Sequence, residues 1–210
     1  ENGLHLQLAG YQAHVYSDFR IVEDDNQNFY RSICDTLNGR GVPNIDEALT
    51  EILMAPISRP FNEIANKGYL DYLLANRLTS QTQKLPVHLL DEAAEKMTAL
   101  VNGITQKTGA NQNREELARG LRRQMELLLA IPAPDSLFPM PVRGAYAQAL
   151  KYIQGGLADR MDRWVLLLTG LFLHDIGKLA GTEDYENQSL SWIEEWQITR
   201  SLVDVAQQMG

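Results

Sequence analysis

Pro86-Val87-His88-Leu89-Leu90-Asp91-Glu92-Ala93-Ala94-Glu95-Lys96-Met97-Thr98-Ala99-Leu100-Val101-Asn102-Gly103-Ile104 decides the fold class. Leu89, Leu90, Ala93, Met97, Leu100, Val101 and Ile104 recur at spacings of three and four, which puts them on one stripe of an α-helix. Pro86 suits the first turn, where its missing N–H costs nothing. Gly109 is placed to end the helix in a left-handed cap. The polar turn Asn111 to Asn113 follows, and Leu117, Leu121, Met125, Leu128 and Leu129 mark the next helix. Its outer side carries Arg114, Arg119, Arg122 and Arg123. The plain reading is a solvated face paired with Glu115, Glu116 and Glu126.

The same periodicity extends toward the N-terminus. Phe29, Ile33, Cys34 and Leu37 form an apolar stripe, with Cys34 expected as a buried, unreactive thiol. Asn38-Gly39-Arg40-Gly41 ends that helix, with Gly39 or Gly41 as the left-handed residue; its spacing fits neither a P-loop nor a dinucleotide fingerprint. Asn44 is a cap, with Glu47 three residues on. Ile45, Ala48, Leu49, Ile52 and Leu53 follow, and Pro56 and Pro60 are expected to close this helix and open a short one capped by Ser58. Gly68 is expected to separate two further helices, and Thr79 to Lys84 reads as a polar linker.

Toward the C-terminus, four prolines between Ile131 and Val142 make the best internal boundary. It either separates two helical subdomains or wraps across one. Three helices are expected beyond it: Gly144 to about Leu157, Arg160 to about Lys178, and about Asn187 to Met209. Trp192 and Trp196 lie four apart on the last. They suit a core anchor or a partner face better than a sugar platform.

The start of the chain differs. Leu4, Leu6 and Leu8 alternate with polar residues, Ala9-Gly10 breaks the pattern, and a second extended run follows from Gln12 to Asp18. Residues 1–18 therefore read as a short β-hairpin. A lone hairpin is marginal in water, so it either completes a sheet outside this chain or lies on helices. With Glu1 in place of a methionine, the first option makes the chain the tail of a longer polypeptide. The expected fold is all-α, a multi-helix bundle of about eight or nine helices with that N-terminal hairpin. The expected regions are 1–18, 26–131 and 143–210.

Composition narrows the function. The 210 residues carry a net charge of -8, with 44% hydrophobic and 22% charged residues, which suits a folded core rather than a disordered chain. The acidic balance argues against nucleic acid as a partner. One cysteine excludes an internal disulfide framework and a cysteine-rich zinc site. The longest apolar run, Trp164 to Leu173, is broken by Thr169 and Gly170 and falls short of the ~20 residues of a membrane span. A cytoplasmic protein without a membrane partner is expected.

Two resemblances carry the functional expectations. Leu4 to Tyr16 resembles the closing strands of the C-terminal β-domain of α-amylase-family glycoside hydrolases. Leu37-Asn38-Gly39-Arg40-Gly41-Val42-Pro43 resembles helical extensions that follow this domain in large amylase-like proteins. The resemblance implies a place in carbohydrate metabolism, but the family's catalytic carboxylates sit on a barrel that these residues do not include. Leu173-His174-Asp175-Ile176-Gly177-Lys178 resembles the core of the HD metal-dependent phosphohydrolase superfamily. That implies His174 and Asp175 as ligands of a divalent metal that activates water against a phosphate ester. The family's further ligands are missing. Val142 to Gln148 and Tyr185 to Ser189 contain no histidine, the nearest upstream histidine is His88, and Asp204 is the one late aspartate.

The leading expectation is a non-catalytic accessory or interaction domain at the C-terminus of an amylase-like protein. It needs no cofactor, and its partner is the rest of a larger polypeptide, another protein or a second copy. The alternative is an HD-type phosphohydrolase with an incomplete ligand set. Lys178, with Arg143 or Arg160, is the candidate anion contact, and Trp192 and Trp196 are the candidate partner face of a binding module. In the bland reading, His174 and Asp175 hydrogen-bond within a packed helix end, Gly177 permits a close approach and Lys178 complements the helix C-terminus.

Overall fold

A computed structural model describes residues 9–11, 13, 15, 21–24, 29–80, 84–134, 144–158 and 160–209. Among these the chain is all-helical. The α-helices are α1 (Phe29–Leu37), α2 (Ile45–Ile64), α3 (Lys67–Ala75), α4 (Val87–Thr108), α5 (Arg114–Leu129), α6 (Ala145–Leu157), α7 (Met161–Leu173), α8 (Tyr185–Glu195) and α9 (Ile198–Met209), with a 3-10 turn at Ile176–Ala180. The hairpin expected over 1–18 falls mostly outside the described residues. Those that are described there form a turn at Gly10 and Tyr11 and no strand. The chain divides into two compact units, Glu1–Leu53 and Met54–Gly210.

In the first unit, both carboxylate oxygens of Asp24 accept from the first turn of α1, from Tyr30 N–H at 2.9 Å and Arg31 N–H at 3.0 Å. Ile33 is buried on α1, but Cys34 is exposed, against expectation. The next residue lies about 100° around the helix, and the buried stripe is too narrow to include it. Asn38 and Gly39 both take positive φ and end the helix. Asn44 caps α2 through its Oδ1, which accepts from Asp46 N–H at 2.9 Å, while its amide donates to Glu47 at 3.2 Å.

The second unit holds the main core. Pro56 and Pro60 do not close α2; the helix runs through both. Burial of Ile57, Phe61 and Ile64 on the same turns holds it together. It stops at Ala65, and Asn66 caps α3 by accepting from Tyr69 N–H at 2.9 Å. The break therefore falls before Gly68, which sits inside α3. Along α4 every residue of the expected stripe is buried, and Gly109 ends the helix at φ 76°. α4 and α5 run antiparallel. Two arginines of α5 reach across to α4, Arg122 in an ion pair with Asp91 and Arg114 in a hydrogen bond to the Asn102 amide oxygen, rather than pairing with the glutamates of α5.

Buried residues of α2 to α5 and of α7 to α9 belong to one continuous core, so the helices on the two sides of the proline-rich stretch share an interior. α7 is central and packs on α5, α6 and α9. The long C-terminal helix expected from Asn187 onward is two helices. Gln197 at φ 54° breaks it, with no glycine to announce the turn. Among the described residues no single helix is long and apolar enough to cross a membrane.

Candidate functional site

The string Leu173 to Lys178 forms the junction between α7 and α8. α7 ends at Leu173 with His174 as its cap, whose N–H still bonds Gly170 O at 2.9 Å, and the 3-10 turn begins at Ile176. Gly177 makes this geometry. A Cβ there would overlap Tyr185 O and come within 2.7 Å of Ser189 N, so only glycine lets the turn lie on α8. The buried Ser189 hydroxyl accepts from Gly177 N–H at 2.8 Å and sits 2.9 Å from both His174 O and Tyr185 O, which share its single proton. The far side of the turn is tied to the α4–α5 loop, with Gln112 N–H donating to Leu179 O at 3.0 Å and the Asn113 amide to Lys178 O at 3.3 Å. Removing the Ser189 hydroxyl strands Gly177 N–H in a buried place. Ser189→Ala is expected to lower unfolding free energy by about 1–3 kcal/mol, read from a urea titration.

The polar side chains of the motif bond locally. His174 Nδ1 lies 3.2 Å from Leu171 O, which can only accept, so Nδ1 carries the proton. Nε2 lies 3.2 Å from the Gln124 amide nitrogen and also faces the Asp175 carboxylate. Asp175 Oδ2 lies 3.0 Å from Lys178 Nζ and 3.2 Å from His174 Nε2. Lys178 also stands over the Tyr185 ring at 4.8 Å. Partial burial pulls the Lys178 ammonium down, but the hydrogen bond and charge of Asp175, with Tyr185 and Glu116 behind it, outweigh that and move it upward.

This donor set does not fit an HD-type metal. A divalent ion takes about four to six donors. Among the described residues no group of three or more His, Cys, Asp or Glu side chains converges. Nδ1 is engaged by Leu171, and a lysine ammonium occupies the place on Asp175 where a cation would sit. Asp204 lies on the exposed side of α9. Lys178 does not share an anion pocket with Arg160, which stands at the opposite end of α7 and grips Asp162 at 2.6 and 2.9 Å. Arg143 lies outside the described residues. His174, Asp175 and Lys178 bond to one another and to nearby backbone at the end of α7, with the imidazole exposed and Gly177 buried.

Trp192 and Trp196 are not an accessible face. They stack with centroids 5.1 Å apart and are 7% and 6% exposed within the main core. Their helical spacing put them on one side, and that side faces inward.

Another surface stands out, and the sequence reading did not identify it. α6 has 13 residues with Lys151 as its one charged side chain, yet among its apolar residues whose burial is described only Leu157 is buried. Tyr152 is 85% exposed and Ile153 44%. Beside them, Leu166 and Leu167 project from α7, whose other side buries Trp164, Val165, Leu168 and Phe172. The four exposed residues, with Lys151 and Arg163, line a groove of about 690 Å³. The signal was legible in principle, because a helix as apolar as α6 has to be covered on some side.

No protein family model, characterised protein or solved structure matches the chain.

Proposed function

We propose that the chain is a non-catalytic helical interaction module whose α6–α7 groove receives an amphipathic helix with acidic edges. The observation that carries this reading is α6 itself. An isolated helix of this length is marginal in water, and α6 gains little from the core, so a docked partner is what secures it. α7 points the same way, since it is apolar on its buried side and at Leu166 and Leu167. Charge selects the occupant. The groove has Lys151 and Arg163 at its rim and no carboxylate in its lining, on a protein of net charge -8. An apolar stripe flanked by glutamates complements that pattern.

A labelled synthetic helix of leucine, alanine and glutamate tests this by fluorescence anisotropy. Saturable binding is expected, weakened about tenfold or more by Leu166→Ser with Ile153→Ser, both of which lie at exposed positions. Failure to bind, equal binding of the lysine analogue, or self-association that closes the groove in sedimentation overturns the proposal.

Attachment to an amylase-type β-domain is proposed on the Leu4 to Tyr16 pattern alone. A barrel and β-sandwich encoded upstream would support it, and their absence would overturn it. The phosphohydrolase alternative draws on the string His174 to Lys178 alone.

A further inference from the structure

A second depression lies behind α6, where Arg77, Ile131, Pro132, Gln154, Met161 and Trp164 enclose about 300 Å³. That is a volume suited to a small organic molecule, and the lining is mostly apolar with few polar groups, as in sites for such ligands. Arg77 is the unusual member. It is half-buried, its Nη1 donates to Leu74 O at 3.4 Å, and its guanidinium stands 6.0 Å from the centre of the Trp164 ring. No carboxylate pairs with it among the described residues. The Trp164 ring beneath it is fixed by the indole N–H, which donates to Leu157 O at 3.1 Å. The Gln154 amide donates to Ile131 O at 2.7 Å and leaves its Oε1 as an acceptor on the lining.

A half-buried guanidinium without a counter-charge is an anion receptor, and its planar fork matches a carboxylate in two parallel hydrogen bonds. One cation in an apolar wall neutralises one negative charge. A phosphate dianion would leave its second charge desolvated and unpaired. We infer that this cleft binds a small monocarboxylate with an apolar body, the carboxylate on Arg77 and the body along Trp164, Met161 and Pro132. The inference is independent of the docking groove, because the two tests use different residues.

Isothermal titration with decanoate tests it, with decyltrimethylammonium as a probe of equal chain and opposite charge. Decanoate is expected to bind saturably at one site and the cation not at all. Arg77→Gln is expected to weaken decanoate about ten- to hundredfold, the loss of hydrogen bonds to a charged group. Arg77→Lys, which keeps the charge without the fork, falls between. In the unaltered protein the methyl signal of Met161, labelled with carbon-13, is expected to shift on addition of decanoate, so the result does not depend on a variant that folds. Equal affinity in Arg77→Gln, equal binding of the cationic chain, or an unmoved Met161 methyl overturns the inference.

Discussion

Gly103→Ala is expected to lower unfolding free energy by about 3 kcal/mol or more, the upper end of what overpacking costs. Gly103 lies in the middle of α4, where glycine is otherwise a poor choice by about 1 kcal/mol relative to alanine. It is there because α2 crosses at that point. A Cβ on residue 103 would overlap the carbonyl oxygen of Pro56 and lie 2.7 Å from its carbon. Both atoms are backbone and cannot rotate away. The carbonyl is itself unusual. Four residues on, where a helix would supply an N–H, stands Pro60. The freed oxygen of α2 lies against the bare Cα of α4, and a side chain there would prise the two helices apart. Gly120 and Gly170 are the controls. They are also helical, and a Cβ at either meets nothing within 4 Å. Gly120→Ala is expected to stabilise by up to about 1 kcal/mol, so the same substitution should have opposite signs on α4 and α5. Urea titrations of the variants read the contrast directly.

Gly177→Ala is expected to be of similar size, again about 3 kcal/mol. Here the Cβ would overlap Tyr185 O and crowd both the amide and the hydroxyl of Ser189, at 2.7 and 2.9 Å. It would break the bond from Gly177 N–H to Ser189 and lift the 3-10 turn from α8. His174→Ala is the informative partner. The imidazole is 44% exposed, and its contacts to Leu171, Gln124 and Asp175 are all 3.2 Å long. Its removal is expected to cost no more than about 0.5 kcal/mol, as for an ordinary surface change. For a unit of this size each kcal/mol moves the melting temperature by roughly 2–4 °C. The ordering, with glycine critical and histidine expendable, is that of a structural joint. A metal centre would make His174 and Asp175 the residues that matter. Melting curves that rank His174→Ala with Gly177→Ala, or manganese that stabilises the unaltered protein but not His174→Ala, would reverse that conclusion.

What the sequence disclosed and what it hid follow from the range of the forces involved. The α4 stripe was legible because burial on a helix repeats every three to four residues, and Leu89 to Ile104 repeat cleanly. The Asn44 cap and the Gly109 stop were legible because capping is local. The passage of α2 through two prolines was not. The core that buries Phe61 beside Pro60 and the glycine that makes room for the Pro56 carbonyl, Gly103, come from residues far along the chain. The α8–α9 break was hidden because Gln197 takes a positive φ that non-glycine residues rarely adopt. Of the motif, the role of Gly177 was legible as a close approach, and the sequence already lacked the remaining ligands. The partner of that approach, Ser189, was not foreseen, and for the tryptophan pair the core anchor and the partner face stood as equal readings until burial decided for the core. Helical spacing shows which residues share a face, not which way the face points. The same limit concealed the α6–α7 groove: an apolar helix looks alike in sequence whether its own chain or another covers it.

Hydrogen–deuterium exchange with and without the acidic synthetic helix tests the account most directly. Protection is expected over 151–157 and 161–167, the two walls of the groove, with exchange at 174–178 unchanged. Protection centred on 174–178, or none in α6 and α7, would contradict it.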